Sequence, residues 1–188
     1  MSIVTIHQPE HLPYPGFIAK VLKSDIFVVL DHVQFRKNYF HNRNKIVNKN
    51  NQEQWLTLSV NKVNLETPIN KITLSKELKW RKRYQNILHD AYSTFPNSQP
   101  FIDFINSLIN GNYTKLVDVN IKIINFLLIE MFKFKGEIIL SSDLSIASKS
   151  SELILEICKS LNTKYYLSGP LGRNYLDTLA FKNNNINV

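Results

Sequence analysis

A single cysteine, Cys158, in a chain of 188 residues excludes an internal disulfide and fits a reducing compartment. Cys158 closes the apolar run Leu153-Ile154-Leu155-Glu156-Ile157-Cys158, where core packing rather than nucleophilic chemistry is expected of it. Long hydrophobic runs are also missing. The most apolar stretch, Ile121 to Phe132, is broken by Lys122, Asn125 and Glu130 and is too short to cross a bilayer. The opening Met1-Ser2-Ile3 lacks the basic start and apolar run of a secretory leader, so a cytoplasmic protein without a membrane span is expected. There are no internal repeats and no linker. Neither the Lys-Ser/Thr of a P-loop nor the Gly-x-Gly-x-x-Gly of a dinucleotide fold is present.

The hydrophobic fraction is 44%, with 11 Phe and 8 Tyr, enough to close one core, so one domain over 1–188 is expected. The formal charge is +8, but the joint richness in Asn, Lys and Ile is compositional and weakens any inference from charge alone. One local feature survives. No acidic residue lies between Asp31 and Glu53, whereas Arg36, Lys37, Arg43, Lys45 and Lys49 all do. No nucleic-acid-binding module is recognisable. Nucleic acid is therefore not expected as a partner, although Arg36 to Lys49 and Lys79 to Arg83 would be the segments to bind it.

Along the chain, Ser2 to Ile6 reads as a β-branched strand that stops at His7-Gln8-Pro9. Pro13 and Pro15 keep the next segment extended. A short helix fits Gly16 to Lys23, and Asp25 to Asp31 is a continuous apolar strand of the kind covered on both faces in a parallel sheet. Lys45-Ile46-Val47 and Gln54 to Val60 flank Asn48-Lys49-Asn50-Asn51, which predicts a hairpin. Ile69 to Leu74 suggests a further strand. Helices are predicted over Leu78 to Ser93, Pro100 to Ile109 and Thr114 to Phe134. Glu137 to Leu140 is then a strand, Lys149 to Leu161 a helix and Lys164 to Leu167 a strand. A short helix and then a strand starting at Ile186 are expected. The fold class is α/β: a Rossmann-like, mostly parallel sheet with a β-hairpin and a helical insertion.

In open α/β sheets ligands bind beyond the carboxyl ends of the strands. That edge would gather His7, Gln8, Glu10 and His11 from one loop and Asp31, His32 and Gln34 from another. The late run Ser168-Gly169-Pro170-Leu171-Gly172-Arg173-Asn174 would join them, its glycine backbone open to an anion. Arg43 in Asn42-Arg43-Asn44 has the forked donors that grip carboxylate or phosphate. Each has a plainer role as a cap, a turn or a core group. The proline-rich loop gives His7, His11, His32 and Glu10 no fixed face for a metal, so no metal centre is expected. His41 and His89 carry no signal.

The run Ile6-His7-Gln8-Pro9-Glu10-His11-Leu12-Pro13-Tyr14-Pro15-Gly16-Phe17 resembles the opening of the WbqC-like protein family. The likeness continues through Lys20, Asp25-Ile26-Phe27, Leu30-Asp31, Val33-Gln34-Phe35, Lys37, Asn42-Arg43-Asn44 and Trp55-Leu56-Thr57. It returns at Tyr166 to Pro170 and Gly172-Arg173-Asn174-Tyr175-Leu176-Asp177. The family has an aromatic residue where this chain has His11, and Trp where it has Tyr14, which favours His7 as the shared functional group. The family also extends beyond the equivalent of Val188, so a chain lacking the family's C-terminal segment is expected.

The resemblance implies a role in bacterial surface-polysaccharide (O-antigen, lipopolysaccharide) biosynthesis, as a glycine or other acyl transferase or an ATP-dependent ligase. A small amino acid or acyl donor and a sugar or nucleotide-sugar acceptor would be its substrates. Joining a free amino acid to a sugar is uphill in water, so ATP with Mg²⁺ is the natural activating pair, although the sequence itself names no cofactor. A fainter likeness, to the superfamily that includes pantothenate synthetase, points the same way but lacks its His-x-Gly-His. On this reading His7 stabilises phosphate charge, and Arg43 holds a carboxylate or phosphate. Asp31 binds Mg²⁺ or receives the amine proton. Gln8, Lys20, Gln34, Asn42 and Asn44 orient substrate, while Ser168, Gly169, Gly172, Arg173, Asn174 and Tyr175 contact phosphate or sugar. The alternative is a non-catalytic nucleotide-sugar-binding or scaffold protein of the same pathway. Homo-oligomerisation is left open.

Overall fold

Ile3-Val4-Thr5-Ile6 is β-branched at every position, and such side chains fit a pleated strand better than a helix. With His7 these residues form β1 (Ile3–His7) in the computed structural model. The structure describes residues 2–64 and 66–188, leaving Met1 and Leu65 outside the described residues. Next come α1 (Pro15–Val21), β2 (Ile26–Val29), β3 (Arg43–Val47), β4 (Glu53–Thr57), α2 (Lys79–Tyr92), α3 (Gln99–Asn110) and α4 (Leu116–Asn125). The chain continues through β5 (Glu137–Leu140), α5 (Ser150–Ser160), β6 (Tyr165–Tyr166) and α6 (Thr178–Asn183). It divides into two compact units, one of Met1–Gln8, Tyr14–His32 and Phe126–Val188, the other of Pro9–Pro13 and Val33–Asn125.

The first unit holds a sheet in the order β5-β2-β1-β6, and every neighbouring pair is parallel. Its central strands are covered on both faces: Val4, Thr5, Ile6, Phe27, Val28 and Val29 are all buried, as the unbroken apolar run of β2 requires. Proline in the first turn starts α1, where its missing N–H is not needed. Phe17 of α1 meets Phe27 of β2 edge to face, with ring centroids 5.5 Å apart. Counted along the chain within this sheet, the strand order is 3-2-1-4, that of the first four strands of a doubly wound fold. Cys158 is buried in α5, and burial pushes its thiol up to about 12, in keeping with the core role expected of it.

The second unit, formed by Pro9–Pro13 and by Val33–Asn125 between β2 and β5 in sequence, contains the antiparallel β3–β4 hairpin and helices α2 to α4. Asn48 makes the turn: its Oδ1 accepts the N–H groups of Asn50 and Gln52 at 2.9 and 3.0 Å, and Asn51 takes the left-handed conformation at φ 58°. The stripe expected on α2 is present, with Trp80, Tyr84, Leu88 and Ala91 buried.

Local elements depart from expectation in three places. Ile69–Lys71 is a 3-10 turn rather than a strand, and residues 73 and 74 make only isolated bridges, to Lys115 and Val60. The helix predicted to run to Phe134 is α-helical only to Asn125, and Phe126–Met131 is π-helical. Pro170–Asn174, read as an open loop, is a 3-10 helix. Near the chain end, Asn187 makes one isolated parallel bridge with Tyr165. Among the described residues no helix is long and apolar enough to cross a membrane.

Candidate functional site at the carboxyl edge of the parallel sheet

Because the four strands of the first unit are parallel, their carboxyl ends share one edge. His7-Gln8 follows β1, Leu30 to His32 follow β2, Ser141-Ser142 follow β5 and Leu167 to Gly169 follow β6. The strand order reverses between β1 and β6, which makes that gap the switch point where such sheets take their ligands. The Leu167 N–H donates to Val4 O at 2.8 Å, and the Thr5 hydroxyl donates to Leu167 O at 2.8 Å, so the exit of β6 is pinned against β1.

His7 is half-buried, with Nδ1 3.1 Å from Gln8 O. A carbonyl oxygen only accepts, so Nδ1 carries the proton and Nε2 is the basic nitrogen of the neutral ring. Phe17 holds the ring edge to face at 4.8 Å. Lys20 donates from Nζ to Ile6 O at 3.2 Å. Gln8 is half-buried.

Across the switch point, the Ser168 hydroxyl donates to Gly169 O at 3.0 Å. The two glycines differ in role. A Cβ on Gly169 would meet no atom within 4 Å, so its backbone faces open space. A Cβ on Gly172 would lie 1.9 Å from Ser168 Oγ and 2.9 Å from Leu176 Cδ1. Gly172→Ala is accordingly expected to displace the Ser168 side chain and destabilise the fold by about 1–3 kcal/mol, read as a lower urea midpoint at unchanged slope. Arg173, Asn174 and Tyr175 are exposed. Partial burial of the Tyr175 ring raises its hydroxyl pKa.

Asp31 is buried at 2% exposure. Its Oδ1 accepts from the Ser141 hydroxyl at 3.0 Å and from the Ser142 N–H at 2.9 Å. Ser141 Oγ in turn accepts from the Asp31 N–H at 3.1 Å and faces His32 Nδ1 at 2.7 Å. With the Ser141 proton on Asp31, His32 Nδ1 is the donor. This relay buckles the end of β2 to the end of β5. Its Asp31 and His32 parts were expected at this edge; Ser141 and Ser142 were not, and their one signal in the sequence was a serine pair directly after an apolar strand. Among the described residues no group of three His, Cys, Asp or Glu is placed to hold a metal.

The remaining expected residues lie in the second unit. Gln34 is exposed, and its backbone bridges to Pro68. Asn42 is buried and donates from Nδ2 to Leu58 O at 3.0 Å. Asn44 donates from Nδ2 to Leu12 O at 2.7 Å and His11 O at 3.2 Å. It thereby clamps Leu12, which sits in the left-handed region at φ 47°, a conformation that costs a bulky residue about 1–2 kcal/mol. Arg43 donates from Nη2 to Asn38 O, and its guanidinium stacks 4.0 Å from the centroid of the Trp55 ring. His11 is fully buried: Nδ1 donates to Asn120 Oδ1 at 3.1 Å and Nε2 accepts from the Tyr84 hydroxyl at 2.9 Å. His89 is exposed on α2, whereas His41 is fully buried.

The family model of the WbqC-like protein family matches residues 8–188. The chain belongs to that family. Among curated proteins, this WbqC-like chain is similar to the uncharacterized protein Rv1507c of Mycobacterium tuberculosis, with 26% identity over 191 residues covering 100% of this chain and 81% of that protein. No solved structure matches it.

Proposed function

We propose that this WbqC-like protein transfers an acyl group, of the amino-acid type, to an amine or hydroxyl of a sugar used in surface-polysaccharide biosynthesis. The observation that carries the reading is the pairing of His7-Gln8 with Ser168-Gly169 across the switch point between β1 and β6. His7 in its Nδ1–H form is the general base. Nε2 takes the proton of the acceptor amine or hydroxyl while that atom attacks the acyl carbon. The bond from acyl carbon to leaving group breaks, and the leaving group departs with the electron pair. Gln8 orients the acceptor, and the open backbone at Gly169 gives the donor a close approach. Family likeness supplies the substrate class. ATP with Mg²⁺ would activate a free carboxylate, but Asp31, the carboxylate considered for the metal, is engaged with Ser141 and Ser142, and no step is routed through it.

The test supplies the purified chain with glycine, ATP and an amino-sugar nucleotide in one arm, and a glycyl thioester with the same acceptor in the other. Mass spectrometry follows the acylated sugar. His7→Gln is expected to lower turnover by about 100-fold or more while the melting point stays near that of the parent chain. Absence of product in both arms, or equal turnover by His7→Gln, defeats the reading. Product in the thioester arm alone assigns a transferase rather than a ligase.

A further inference from the structure

A cavity of about 460 Å³ opens in the second unit, between β4 and the start of α2. Two simple periodicities build it. On β4 and its extension, alternate residues Trp55, Thr57 and Ser59 share one face while Leu56 and Leu58 turn into the core and are fully buried. On α2, Lys79 and Arg83 stand one turn apart with Trp80 beside them, all lining the same space. Lys79 and Arg83 are exposed, and among the described residues no acidic side chain lines the cavity. Trp80 is held in place by donating from Nε1 to Ser75 O at 3.0 Å. Arg43 lies 4.0 Å from the Trp55 ring centroid and adds a third positive charge beside the wall, while the nearby Lys45 is neutralised by Glu53.

Indole walls, two hydroxyls and two exposed cations line the same space. Flat π-systems stack on indole faces, and this contact tolerates any base. Lysine and arginine one helical turn apart suit adjacent phosphates. Hydroxyls along a strand suit a ribose. The volume falls within the range of about 300–1,000 Å³ typical of small-molecule pockets. We propose that this cavity is a nucleoside-diphosphate site: base against Trp55, ribose at Thr57 and Ser59, phosphates on Lys79 and Arg83. The site is built wholly from the second unit and stands whether or not the chain transfers acyl groups.

Both tryptophans of the chain line the cavity, so intrinsic fluorescence reports on it directly. Titration of the full chain with uridine diphosphate is expected to quench that fluorescence saturably, with uridine at least tenfold weaker. The doubly substituted chain Lys79→Gln, Arg83→Gln should lose about tenfold or more in affinity with its unfolding midpoint unchanged, since both side chains are exposed. Trp55→Leu, followed by calorimetry because a reporter is lost, should lose about tenfold. His7→Gln should titrate like the parent chain, which separates this site from the acyl-transfer reading. A nucleotide sugar binding as tightly as uridine diphosphate places the sugar outside the cavity; tighter binding places it inside, and either result supports the site. Absence of saturable quenching at millimolar uridine diphosphate, or equal affinity in the Lys79/Arg83 double variant, overturns it.

Discussion

Asn120→Ala is expected to lower the unfolding free energy by about 3–5 kcal/mol. Asn120 is fully buried in α4 and meets three partners at once. Its Nδ2 donates to Pro9 O at 2.9 Å and to His41 O at 2.7 Å, while Oδ1 accepts from His11 Nδ1 at 3.1 Å. Truncation removes the Asn120 partner of two carbonyl oxygens and an imidazole N–H. Each such group costs about 1–3 kcal/mol, and the three are not additive because one side chain serves them all. The same side chain fixes the His11 ring so that Nε2 faces the Tyr84 hydroxyl at 2.9 Å, so its loss also loosens α2. Urea unfolding with the slope checked for two-state behaviour measures the effect. An alanine variant within about 1 kcal/mol of the parent chain would show that water or repacking replaces the side chain.

Acid is expected to weaken the fold before most carboxylates titrate. Burial holds the His11 pKa down, from the ordinary 6.5 to about 4. Burial, aided by the positive charge of Arg36, does the same for His41, again to about 4. The hydrogen bonds agree with neutral rings. His11 Nε2 accepts from Tyr84, and His41 Nδ1 accepts the Arg36 backbone N–H at 3.1 Å, so a proton on either nitrogen breaks an existing bond. Both pKa values are lower in the folded chain than in the unfolded one, so the unfolded state binds more protons in between. The stabilisation is therefore complete above pH 6.5 and drains away as pH falls toward about 4. The full effect is about 3 kcal/mol for each histidine. Unfolding free energies measured in steps between about pH 7 and pH 5, above the ordinary carboxylate range, isolate it. A stability profile flat across that interval would contradict the neutral, buried assignment.

Several features were legible because they depend on near neighbours. The β-branched run of β1, the unbroken apolar run of β2, the Asn-rich turn of the hairpin and the 3.6-residue stripe of α2 each follow from backbone sterics and periodicity within a dozen residues. They were enough to place His7-Gln8 at a strand end and Ser168-Gly169 at another. The π-helical turn after Asn125 and the 3-10 turn at Ile69–Lys71 were not legible. Their residues have the same apolar composition as the helix and strand expected there, and only non-local backbone partners separate the alternatives.

The same limit applies to the roles of polar residues. Asp31 is expected from the sequence to meet a metal or an amine proton, and nothing in the sequence singles out Asn120. Tertiary structure alone brings Ser141 to Asp31 across 110 positions and His11 to Asn120 across 109. It also decides that Asn44 clamps a strained loop and that Arg43 stacks on an indole. By itself the sequence determined the class of fold, the family and the strand ends that bear His7 and Ser168, because pattern and motif are local properties. Which polar side chains are tied into the interior and which line open space was decided by the fold, because a hydrogen bond needs its partner and the partner lies far along the chain.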